Sequence, residues 1–96
     1  MTSERFLNRR VLLSGGIELG RVVDVILERE ADRALGLDVL CGDGQHRFLP
    51  MATVARVGSD IRIESSLTLL EPAELDFYRL RGRSLRASSS GTLADR

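Results

Sequence analysis

Leu19-Gly20-Arg21-Val22-Val23-Asp24-Val25-Ile26-Leu27 is the stretch on which the reading of this 96-residue chain turns. Five aliphatic residues, four of them β-branched, follow a glycine turn, which is strand chemistry and not helix chemistry. Side chains alternate along a strand, so Val23, Val25 and Leu27 are expected on one face and Val22, Asp24 and Ile26 on the other. A carboxylate within the second set predicts that this face is partly wet. The stretch reads as the central strand of a sheet.

The flanks extend the pattern. Val11 to Ser14 reads as a short strand, Gly15-Gly16 as a turn and Ile17 to Leu27 as the next strand, with a bulge expected near Gly20. After the charged connection 28–33, Ala34 to Cys41 alternates again. Leu35, Leu37, Val39 and Cys41 are expected on one face, and Gly36 leaves room for a neighbouring backbone. Gly42-Asp43-Gly44 is a hairpin signal, because Asp and Gly tolerate positive φ. Gln45 to Leu49 is its partner strand, which Pro50 ends or sends to an edge by removing a ladder donor. Met51 to Val57 leads to a turn at Gly58-Ser59-Asp60, and Ile61 to Glu64 alternates cleanly. Leu67, Leu69 and Leu70 are expected to close or cap the open end.

At Glu71 the chain changes character. Pro72 suits a first helical turn, Glu74 and Asp76 its positive end, and Arg79 and Arg81 its negative end before Gly82. The spacing predicts a helix over 72–80 whose Leu75 and Tyr78 pack on the sheet. Residues 87–96 lack an apolar period and read as a disordered tail or a linker. Short strands at close spacing predict a mainly β fold, a small antiparallel β-barrel with a short C-terminal helix. The domain runs over 8–70, with a helical extension over 71–86.

The run Gly16-Ile17-Glu18-Leu19-Gly20-Arg21-Val22-Val23-Asp24 resembles the PRC-barrel signature, a Gly-x-x-(Ile/Leu)-Gly-x-Val-x-Asp hairpin. Gly36-Leu37-Asp38-Val39, Arg47-Phe48-Leu49-Pro50 and Ile61-Arg62-Ile63 resemble later strands of that family, so the resemblance covers roughly 10–70. It implies a fold more than an activity. Similar domains occur in the reaction-centre H subunit, in a small-subunit ribosome-maturation factor and in stand-alone prokaryotic proteins. The resemblance therefore implies docking onto a larger assembly, and this chain looks most like a stand-alone member.

Composition bounds the function. One cysteine, Cys41, forms no internal disulfide, and no signal-peptide pattern or membrane-length apolar run is present, so a cytoplasmic protein without direct membrane insertion is expected. Gly15 to Gly20 lacks the Lys-Ser/Thr of a phosphate loop, and Gly42-x-Gly44 opens no helix. The single histidine, His46, cannot alone build a zinc site or a triad, and Ser14 has no nucleophile-elbow context. No catalytic residue, metal or cofactor is expected.

Charge gives the candidate surfaces. All fourteen basic residues are arginine and the net charge is zero, but residues 11–76 carry −6 and residues 77–96 carry +4. Asp24, Glu28 and Asp38 are candidates for an acidic patch on the outer sheet face. Arg79, Arg81, Arg83 and Arg86, beside Phe77 and Tyr78, form a basic cluster with aromatic neighbours. These nine are the candidate partner-binding residues of a non-enzymatic module that docks onto a protein or ribonucleoprotein assembly, with ribosome maturation or RNA processing as one setting. RNA or phosphate binding through the arginine cluster is the alternative, and regulation of a membrane complex a third reading. The opposite charges are expected to meet between two chains, because few residues follow Gly82 to fold back, giving a salt-sensitive homodimer.

Overall fold

The computed structural model describes residues 3–86. Seven strands form one sheet: β1 (Arg10–Leu13), β2 (Glu18–Leu27), β3 (Ala34–Cys41), β4 (His46–Pro50), β5 (Val54–Val57), β6 (Ile61–Ile63) and β7 (Arg83–Ser84), with one helix, α1 (Pro72–Arg81), before β7. The sheet runs β4-β3-β2-β1-β6-β5, and β7 adds to β2. The long β2 is the hub: β3 pairs along one side, while β1 and β7 pair with its two ends. Among the described residues no helix is long and apolar enough to cross a membrane.

The mainly β fold with a short helix is as the sequence predicts, with two differences. β1 pairs with β6 in parallel, whereas the other ladders are antiparallel. The sheet curls into a half-barrel, and its terminal strands β4 and β5 do not pair with each other among the described residues. The turns fall where local chemistry puts them. At the β3–β4 hairpin the Gly44 N–H donates to the Cys41 carbonyl at 2.9 Å, and the Asp43 carboxylate accepts from the Gln45 N–H at 3.0 Å. Pro50 ends β4.

Bulges change which residues face the core. Val22 pairs with Val39 but Asp24 pairs with Asp38, so Val23 is an extra residue on β2. Val22, Val25 and Leu27 consequently share one buried cluster with Leu37, Val39, Leu49, Ile61 and Ile63, while Val23 is only half-buried. The expected face of Val23, Val25 and Leu27 is thus corrected at its first member, because one inserted residue reverses the alternation. Leu35 is likewise extra on β3, and it joins a second cluster instead of the face of Leu37 and Val39. The first bulge of β2 falls at Leu19, beside the glycine where it is expected.

The second cluster, Ile26, Phe48 and Leu75 with Leu35, Leu70 and Tyr78 around it, lies on the opposite face under α1. Gly36 makes it fit: a Cβ there would fall on the Phe48 ring and the Leu49 carbonyl. Tyr78 stacks on Phe48 with ring centroids 4.2 Å apart and planes 6° from parallel. Such pairs contribute about 0.5–1.5 kcal/mol beyond the area they bury. Leu70 covers the outer edge of β4, its N–H donating to the Phe48 carbonyl at 2.8 Å and its carbonyl accepting from Phe48 at 3.2 Å. Leu69 leans on the main core, whereas Leu67 is 86% exposed.

Candidate docking site

α1 starts at Pro72, whose missing N–H costs nothing in a first turn, and ends where the Gly82 N–H donates to the Tyr78 carbonyl at 2.8 Å. Its inward residue, Leu75, is fully buried in the second cluster. Its outward residues Phe77 and Leu80, three apart and so on one helix face, are 45% and 75% exposed. The Arg81 guanidinium lies 4.5 Å from the Phe77 ring centroid, and Tyr78 meets Phe77 edge-on at 5.3 Å. At Gly82 the chain turns back against β2 so closely that a Cβ would strike the Leu27 carbonyl.

This return brings the C-terminal residues onto the acids. Asp24 and Asp38 are register partners across β2 and β3, and both are buried, at 7% and 1% exposure. The Asp24 Oδ1 accepts from the Val25 N–H at 2.8 Å and the Arg86 N–H at 3.0 Å, and its Oδ2 accepts from the Ser84 hydroxyl. Asp38 accepts from Arg79 Nη2 at 2.6 Å and lies 2.8 Å from His46 Nδ1. Glu28 pairs with Arg33, and its carbonyl accepts from Arg83 Nε at 3.1 Å. Arg83 also donates to Asp32 at 2.9 Å and to the Ala31 carbonyl at 3.1 Å.

The predicted acidic patch is therefore not an open surface: α1 and β7 cover Asp24 and Asp38 and meet their oxygens with donors. The predicted wet face of β2 is corrected for the same reason, since Asp24 and Ile26 are buried there. Arg79 and Arg83 are engaged within the chain, Arg81 lies over a ring, and Arg86 contributes its backbone N–H. The expectation that acid and base meet between chains is overturned for these groups, because the residues after Gly82 do fold back. The predicted tail over 87–96 lies outside the described residues.

Sequence reasoning brought nine residues forward, and the structure gathers eight of them around one helix and its return strand, with Glu28 at the margin. It missed Ser84 and gave His46 no partner. A signal for both was present: two acids in otherwise apolar strands require donors when buried. An Asp–His contact is one that can orient an imidazole as a base. Among the described residues no Ser, Thr or Cys side chain hydrogen-bonds to His46, and no three His, Cys, Asp or Glu side chains gather as a metal site needs. Cys41 packs at the core margin, where burial pushes its thiol pKa up, away from nucleophilic use.

A curled sheet of seven strands with one helix on its back defines a small β-module. Residues 1–70 match the model of the PRC-barrel domain, and the chain belongs to that family. No curated protein matches it. α1 and β7 lie beyond the matched residues.

Proposed function

We propose that this protein is a non-enzymatic docking module that seats the outer face of α1 on a protein partner within a larger assembly. The observation that carries this reading is the exposed trio of Phe77, Leu80 and Arg81 on a helix whose other face is anchored by Leu75 and Tyr78. Aromatic and arginine side chains dominate the binding energy of protein interfaces, and a ring already held by a guanidinium loses little freedom on binding. An RNA contact through the arginine cluster is less favoured, because the charges of Arg79 and Arg83 are already offset by Asp38 and Asp32.

The test compares the tagged full chain with a Phe77→Ala/Leu80→Ser double variant in capture from the native host. Both side chains point outward, so the melting temperature is expected to hold. Partner recovery is expected to fall about tenfold, the effect of losing roughly 1.4 kcal/mol of binding energy. Equal recovery of the same partners by both proteins would move the docking surface elsewhere.

A further inference from the structure

At the far end of the sheet from α1, Arg56 on β5 and Arg62 on β6 are register partners in an antiparallel ladder. Their Cβ atoms are therefore roughly 4.5–5.5 Å apart on one face, an arrangement that opposes pairing when the charges are alike. Most other arginine side chains in the described residues are occupied, among them Arg10 by Asp60, Arg47 by Asp43, Arg79 by Asp38 and Arg5 by the Phe6 ring. Arg56 and Arg62 have no carboxylate, carbonyl or ring in contact among the described residues. With Ser14, Ala55, Ile63 and Glu64 they line a cleft of about 500 Å³. Glu64, its only acid, bridges to neither.

β5 is also the uncovered edge of the sheet. At the opposite end Leu70 occupies the edge of β4, but β5 pairs only with β6 among the described residues, and Ala55, Arg56 and Val57 are exposed. A free edge is a template for one more strand. A second copy of β5 is disfavoured there, since it would set Arg56 against another arginine. We propose that the β5 edge accepts an extended acidic segment of a partner protein as an added strand. Carboxylates at alternate positions meet Arg56 directly. They also reach Arg62, which stands one further strand spacing of about 4.8 Å away, within the combined length of the two side chains. Aliphatic residues on the other face of the added strand continue the layer of Val54 and Val57. This surface is separate from α1 and shares with the docking reading only the class of partner.

The probe is an acetylated, amidated octapeptide alternating Glu and Val, titrated into the full chain by calorimetry with amide exchange followed by NMR. Binding is expected, with slowed exchange within Val54–Val57 and affinity at least tenfold lower for the Arg56→Gln/Arg62→Gln double variant. The same peptide N-methylated at every residue keeps its charge but has no backbone N–H to donate along either edge, and is expected not to bind. The Phe77→Ala/Leu80→Ser variant is expected to bind the parent peptide normally, which separates this surface from α1. No binding, equal binding of the N-methylated peptide, or displacement of the parent by an equimolar uridine octanucleotide would each overturn the proposal. The last would indicate a general anion site.

Discussion

Asp24 and Asp38 face each other across β2 and β3, and Arg56 and Arg62 face each other across β5 and β6, yet the fold resolves the two like-charged pairs in opposite ways. The acids are buried and are met by groups of the chain itself: the Val25 N–H of β2, His46 from β4, Arg79 from α1, and Ser84 and Arg86 from the return segment. The arginines stand at an open edge with no partner among the described residues. Charge in a strand thus has no fixed meaning. Where the chain provides counter-groups the pair is part of the structure, and where it does not the pair stands without a counter-group among the described residues. The segment that gives Asp24 its Ser84 and Arg86 donors lies beyond the residues matched by the family model, so residues outside the match cover part of this face of the sheet.

The sharpest way to break this contrast is to remove an acid. Asp24→Ala leaves the Val25 and Arg86 N–H groups and the Ser84 hydroxyl without their acceptor, and an unsatisfied buried donor costs about 1–3 kcal/mol. Urea unfolding is expected to show a loss of about 3 kcal/mol, and Ser84→Ala, which removes one hydrogen bond to a charged group, about 1.5 kcal/mol. A loss within experimental error for Asp24→Ala would mean that the acid pair is as dispensable as a surface charge. Arg56→Ala is expected to change stability by no more than about 0.5 kcal/mol, towards greater stability because a like-charge contact is relieved. A large loss would reveal an internal role for this pair.

The smallest effect concerns Asp43, an exposed acid with strictly local partners. The Gln45 N–H and, next, the Arg47 guanidinium hold its carboxyl below the usual carboxylate range. A pKa lowered by folding gives stability that is present above the unfolded value, about 3.9, and lost as pH falls through the folded one. An NMR titration of the Asp43 carboxyl is expected to give a midpoint below that value. A midpoint at or above it would show that the hairpin does not hold the acid.

Much of the architecture was legible in the sequence because it rests on contacts a few residues apart. The strand over 19–27, the turn at Gly42-Asp43-Gly44, the stop at Pro50 and the helix from Pro72 to the Gly82 boundary follow from alternation, turn chemistry and missing donors, which act locally. The faces of Val23 and Leu35 were not legible, since a bulge is selected by how both strands and their neighbours pack, and a single extra residue inverts the pattern. The state of the candidate site was equally out of reach. Arg79 is 41 residues from Asp38 and Ser84 is 60 from Asp24, so only the return of the chain at Gly82 turned an apparent acidic patch into a satisfied buried network. The sequence by itself determined most of the strands, their turns, the helix and the family, but not β5 or the return strand β7. The tertiary structure decided which charges find donors or counter-charges within the chain and which stand without them among the described residues, because that depends on distances between segments that no local pattern encodes.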